Sequence, residues 1–202
     1  GKPDANCKIA QNKCCALPGL EDARAVAAQL NIPFYVMNWS VQFKEKVVDH
    51  FLESFAKGKT PNPCIECNRN IKFGQLLNRA DELGAQFVAS GHYARIGNEN
   101  GEKVLLAAVD EAKDQSYFLY HLGQEKLRRI LFPIGEYRKP QVYELAEKFG
   151  LKRVIEKPQS QGLCFFSEAS PKHFLKRYLE ARFFKPGRIV TTDGRVLGQH
   201  KG

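Results

Sequence analysis

Two cysteines close the run TPNPCIEC, residues 60–67, and a third stands far along the chain in SQGLCFF, residues 160–166. A cysteine attacks or ligates as the thiolate, so its surroundings decide what it can do. Pro61 and Pro63 fix φ on either side of Asn62 and would hold Asn62, Cys64 and Cys67 in a set geometry. A helix is expected just beyond, and a thiol near a helix start meets free amides and the positive end of the dipole. Reactive thiols and a structural CxxC turn stand level on that basis. Zinc would take Cys64 and Cys67 as half of a four-ligand set, yet no second CxxC and no close His pair completes it. Cys14 and Cys15 are an awkward pair for one tetrahedral ion, and with Cys7 they read as plain thiols. Cys164 adjoins Phe165 and Phe166, so a buried inert thiol is one reading and a second reactive thiol the sharper one.

Three further clusters could bind. Gly91-His92 follows an apolar run, where a glycine lets a nucleotide approach the backbone and the imidazole offers a donor or acceptor. Lys113-Asp114-Gln115-Ser116 is a polar knot between apolar segments. Lys113 suits a phosphate, while Asp114 and Gln115 could bond to bases or hold the loop. Basic pairs at 128–129, 138–139, 152–153 and 176–177 read singly as solvated faces. Their sum is a net charge of +9, from 31 Lys and Arg against 22 Asp and Glu, with 19 basic and 12 acidic residues in 101–202. Such an excess can steer a polyanion, and nucleic acid is the usual one.

Elements must position these groups. At 43% hydrophobic and 26% charged, the 202 residues have a globular composition. The longest clean apolar run, 104–109, is far short of the ~20 residues of a membrane helix. No secretory signal pattern opens the chain, so the thiols are expected to be mostly reduced. Apolar spacing predicts helices over 20–30, 41–57 and 71–83, strands over 34–37 and 87–89, and a loop over 58–68. Strand and helix in alternation argue for a parallel sheet whose ligands gather beyond the strand carboxyl ends, where Ser90-Gly91-His92 would stand. Beyond it, 93–96 and 104–108 flank a hairpin signal at 97–101. Helices are expected over 124–130, 139–149 and 171–179, the last capped by Ser170, with 157–166 irregular between them. A second hairpin, 187–191 with 195–197, would begin something new.

Taken together, TPNPCIECNRNIKF (60–73), SGHYAR (90–95), KDQSYFLY (113–120), FPIGEYRKPQV (132–142) and SQGLCFF (160–166) resemble, in sequence and order, bacterial and organellar tRNA-specific 2-thiouridylases. The resemblance runs from about residue 14 to 202. It implies an α/β fold with a doubly wound parallel sheet of the adenine-nucleotide α-hydrolase (PP-loop) type. The catalytic domain would occupy 1–166, and 167–202 would start a small central domain. It implies ATP, with Mg2+, adenylating the C2 oxygen of the wobble uridine in tRNAs for Lys, Glu and Gln, followed by sulfur transfer in the cytoplasm. A relay protein or cysteine desulfurase would donate the sulfur. In that pattern Cys164 bears the persulfide, Cys67 is the attacking nucleophile, and the two can form a disulfide. Asn62, Pro63 and Cys64 would meet the target base, Gly91 the nucleotide, and His92, Lys113, Asp114 and Gln115 the tRNA. The family's Ser-Gly-Gly-x-Asp-Ser phosphate loop, its first strand and helix and its C-terminal barrel have no counterpart here, and Cys64 stands where many relatives have Asp. The expectation is a fragment of a longer enzyme, inactive alone. The competing expectation is an RNA-binding module that holds a metal or iron–sulfur cluster through Cys64, Cys67 and Cys164.

Overall fold

A computed structural model describes residues 17–151, 155, 162–165 and 171–202. Helix α1, Leu17–Gln29, ends where Asn31 takes a left-handed φ of 53°. The amides of Asn31 and Ile32 then reach back to the carbonyls of Ala28 and Ala27, which satisfies the last turn. The expected strand 34–37 is extended but joins no sheet among the described residues; Tyr35 and Val36 are exposed. An apolar, β-prone segment becomes a strand only when a neighbour takes its amides and carbonyls.

Helix α2, residues 40–56, is α-helical over Ser40–Phe43 and His50–Ala56 around a π-helical segment, Lys44–Asp49. The i→i+5 spacing brings Lys44 Nζ to 2.8 Å from both carboxylate oxygens of Asp49. Helix α3, residues 63–82, starts inside the segment expected to be a loop. It is π-helical over Cys67–Gln75 and kinks at the fully buried Phe73. Gly84 ends it as expected, with its own amide and that of Ala85 returned to Asp81 and Ala80.

The architecture is α/β. Strand β1, Val88–Ala89, pairs in parallel with β4, Ile130–Leu131, in the register Val88↔Ile130. That pairing cuts short the helix expected over 124–130, which spans only Gln124–Leu127 (α4). Arg129 secures the crossing: its guanidinium bonds to the carbonyls of Ala85 and Gln86 and to Asp81 at 2.5 Å. Between them β2, Ala94–Glu99, and β3, Glu102–Ala107, form a hairpin tighter than expected. Its turn is Asn100-Gly101, both at positive φ, as a two-residue turn of that type requires. Helix α5, Lys139–Lys148, has its first amide held by Asp110. Helix α6, Pro171–Tyr178, precedes a second hairpin, β5 Gly187–Val190 with β6 Val196–His200. Ser170, expected as its cap, lies outside the described residues, as does most of 157–166.

Two clusters form the core. The first gathers Phe73, Leu77, Val88, Ala94, Leu119, Ile130 and Phe132 beneath the sheet strands. The second gathers Val47, Phe51, Ile71, Phe165, Phe174 and Leu175, with rings meeting edge-to-face. Helix α3 serves both, with Ile71 on one side and Phe73 and Leu77 on the other.

Candidate functional site

Asn62 caps α3. Its backbone is extended (φ −102°, ψ 100°), its side-chain oxygen accepts the Cys64 amide at 3.1 Å, and Pro63 fills the first helical position. Cys64 therefore lies on the first helical turn, and Cys67 opens the π-helical segment that follows it. Cys64 departs from the thiolate expectation. Burial pushes its thiol up, and the opposing charge of Lys72 does not overcome that.

Cys67 and Cys164 are 97 positions apart, yet both pack against the second cluster. Both are present as thiols, and both are half-buried. Gly162, two residues before Cys164, has φ +100° with open space where a Cβ would stand.

Gly91 is exposed just beyond the carboxyl end of β1, and a Cβ there would meet only Ile134 Cδ1, at 4.0 Å. His92 is buried between Phe73 and Phe132. Its Nδ1 lies 2.6 Å from Ser90 Oγ, and its Nε2 lies 3.4 Å from Lys72 Nζ. An ammonium only donates, so Nε2 accepts, and Nδ1 carries the proton and donates to Ser90. Burial, then Lys72, lowers its pKa to about 4, so His92 is neutral at pH 7. Sequence reasoning passed over Lys72, which acts electrostatically on both Cys64 and His92 and so joins the cysteine turn to the sheet edge. Its signal was its place in the IKF run of the same motif.

The polar knot at 113–116 is mostly turned inward. Asp114 accepts from the amide of Ala108 at 2.7 Å and from the hydroxyl of Ser116 at 2.6 Å. Gln115 and Tyr93 exchange two bonds, amide to carbonyl at 2.8 Å and amide to side chain at 3.0 Å. Lys113 is the exposed member. Asn68, also unforeseen, is buried next to Cys67 and donates to the Phe118 carbonyl at 3.1 Å, tying α3 to the 3-10 turn Ser116–Leu119. A polar cleft of about 310 Å³ lies between Lys46, His50 and Glu53 of α2 and Glu66 and Arg69 of α3. Among the described residues, no three His, Cys, Asp or Glu side chains gather in a metal-holding set, and this includes Cys64, Cys67 and Cys164. No described helix is long and apolar enough to cross a membrane.

The chain is 47% identical over 189 residues to the tRNA-specific 2-thiouridylase MnmA of Clostridium acetobutylicum, covering 94% of this chain and 53% of that protein. It is 48% identical over 191 residues to the MnmA of Carboxydothermus hydrogenoformans, covering 94% and 52%. It is 45% identical over 198 residues to that of Leptospira interrogans, covering 97% and 52%. The chain thus spans about half the length of the curated relatives it matches. The family described as the tRNA methyl transferase HUP domain matches residues 2–168, and with the α/β architecture around the Cys67 turn and the Gly91 edge this places the chain as a member of that family.

Proposed function

We propose that this chain is part of an ATP-dependent tRNA-uridine 2-sulfurtransferase, in which Cys164 carries the transferable sulfur and Cys67 releases the product. One observation carries the reading: two thiols remote in sequence pack on one aromatic cluster, one of them directly after the capped first turn of a helix. The family description speaks of methyl transfer, whereas the relatives named above are thiouridylases; a pair of gathered thiols favours sulfur.

The chemistry follows from the groups. A uracil C2 oxygen leaves poorly until it is activated, and ATP with Mg2+ would supply that activation as an adenylate. Gly91, open at the strand end, is the position for the nucleotide. The terminal sulfur of a Cys164 persulfide bonds to C2, and AMP departs with the oxygen. Cys67 as thiolate then attacks Cys164 Sγ, breaks the S–S bond to the substrate and leaves 2-thiouridine with a Cys67–Cys164 disulfide. A thiol reductant must restore the pair, and a relay protein or cysteine desulfurase must reload Cys164. A cytoplasmic, thiol-reducing setting suits both. Asn62, Pro63 and Cys64 would border the entering base, with the Lys72 charge nearby to favour developing negative charge. His92 is covered by Lys72, so it serves as a wall of the site unless Lys72 moves. Lys113 would meet phosphate while Asp114 and Gln115 hold its loop. The tRNAs for Lys, Glu and Gln are the proposed substrates, and 167–202 the start of a second domain whose α6 packs on the aromatic cluster of the first.

The test uses the full-length protein. Cys164→Ser should abolish 2-thiouridine formation but leave ATP-dependent adenylation of tRNA intact, and Cys67→Ser should also stop sulfur transfer. Continued thiolation by the Cys164→Ser variant would sink the paired-thiol mechanism.

A further inference from the structure

The 3-10 turn Ser116–Leu119 buries Leu119 completely but leaves Tyr117 and Tyr120 64% and 68% exposed. In a 3-10 helix, side chains at i and i+3 eclipse, and Tyr120 keeps that geometry (φ −56°, ψ −22°). The spacing of three therefore sets Tyr117 and Tyr120 on the same face of the turn. Exposing one large aromatic is ordinary; here two stand in water three residues apart on a turn whose interior is well packed.

The turn is rigidly placed. Asn68 holds its Phe118 carbonyl from the residue after Cys67, and Tyr117 is braced edge-on by Phe118 at 5.4 Å between ring centroids. Tyr120 meets His121 at 5.7 Å. The ring nitrogens of His121 are buried without a hydrogen-bond partner among the described residues, and Arg69 and Lys126 both act on that ring electrostatically. Lys126 Nζ bonds to the Arg69 backbone carbonyl at 3.3 Å, and the Arg69 charge acts on the Lys126 ammonium. Of the acids nearby, Glu66 is engaged by Asn70 at 2.9 Å, and Glu125 is exposed beside Lys126.

Aromatic faces beside paired cations suit single-stranded nucleic acid, because every base has a π-face and every linkage a charge. A duplex would present only phosphates to such a surface. We propose that Tyr117 and Tyr120 form a stacking platform for unpaired RNA bases flanking the one presented to Cys67, with Arg69 and Lys126 holding a backbone phosphate at its edge. This rests on the tRNA reading and adds to it a surface that selects an unpaired loop.

The test measures binding of the full-length protein that contains this chain to a labelled single-stranded oligouridine and to an RNA duplex of equal length, by fluorescence anisotropy over a salt series. The protein should prefer the single strand. Tyr117→Ala and Tyr120→Ala should each weaken that binding about tenfold with the salt slope unchanged, while Tyr→Phe at either position retains it. Arg69→Gln and Lys126→Gln should each lower the salt slope by about one. Thermal unfolding of each variant checks that the turn still folds. If RNA binds but both Tyr→Ala variants bind as tightly as the parent, or if duplex and single strand bind equally, the platform is wrong and the tRNA reading stands. If the parent protein binds no RNA at low salt, both fall.

Discussion

His92 shows how one residue's surroundings set its chemistry. Its ring lies between Phe73 and Phe132, accepts from Lys72 and donates to Ser90, and its pKa is lowered to about 4 from 6.5. Below pH 6.5 the unfolded chain takes up a proton that the folded chain refuses until about pH 4. Stability from this group is therefore full above pH 6.5 and falls as the pH drops towards 4, by about 3 kcal/mol in all. His92→Gln should flatten the pH dependence of the urea midpoint across that window. A residual slope of the same sign is expected from His121, which burial and then Arg69 and Lys126 also push down. An unchanged slope in His92→Gln would mean that His92 titrates normally. The sequence pointed to Gly91-His92 as a ligand edge, but burial and the Lys72 contact depend on packing across 20 positions. The same holds for Cys64, where the helix start argued for thiolate and burial prevailed.

At the level of elements, α3 does the positioning. Asn62 accepts the Cys64 amide and starts the helix, so Asn62→Ala should cost about 1 kcal/mol and Asn62→Asp little, read from chemical denaturation. If the loss is only global, thiol alkylation rates at Cys67 will track stability. If the cap also sets the first turn, they will rise beyond it. The cap and the prolines were legible in TPNPC because each acts locally. The helix itself begins five residues before the end of the expected loop, since its single α-helical turn passes straight into a π-helical segment that lacks a 3.6-residue apolar period. Helices α1, α5 and α6 were legible within a few residues from their apolar spacing, helped in α1 and α5 by the left-handed stops at Asn31 and Gly150. Strand pairing was not. Ile130 read as helix until Val88 claimed it, and 34–37 read as strand with no described neighbour to make it one.

Across the whole molecule, the two clusters divide the labour. The first sets the sheet edge with Gly91 and His92; the second seats both Cys67 and Cys164. A pairing of Cys67 with Cys164 is implied by the resemblance alone, for nothing in their spacing brings them together. Both pack against the aromatic cluster, and Phe51 is its hub. Phe51 is 2% exposed, with ring centroids 4.8 Å from Phe55, 5.2 Å from Phe165 and 6.2 Å from Phe174. Phe51→Ala removes that ring and should cost about 3–5 kcal/mol, a large part of the roughly 5–15 kcal/mol that holds a domain. Phe165 neighbours Cys164, while Ile71 stands one turn beyond Cys67 in α3, so the vacated space loosens both thiols at once. The first cluster shares no side chain with Phe51 and should keep its packing. The expected result under mild oxidation, at a temperature where Phe51→Ala remains folded, is a Cys67–Cys164 disulfide forming more slowly than in the parent. Amide exchange should quicken in α2 and α6 but not in β1 and β4. Peptide mapping that finds the disulfide at the parent rate would show that the cluster does not govern the approach of the thiols. Mapping that finds Cys67 joined to Cys64 instead would remove the pair from the mechanism altogether.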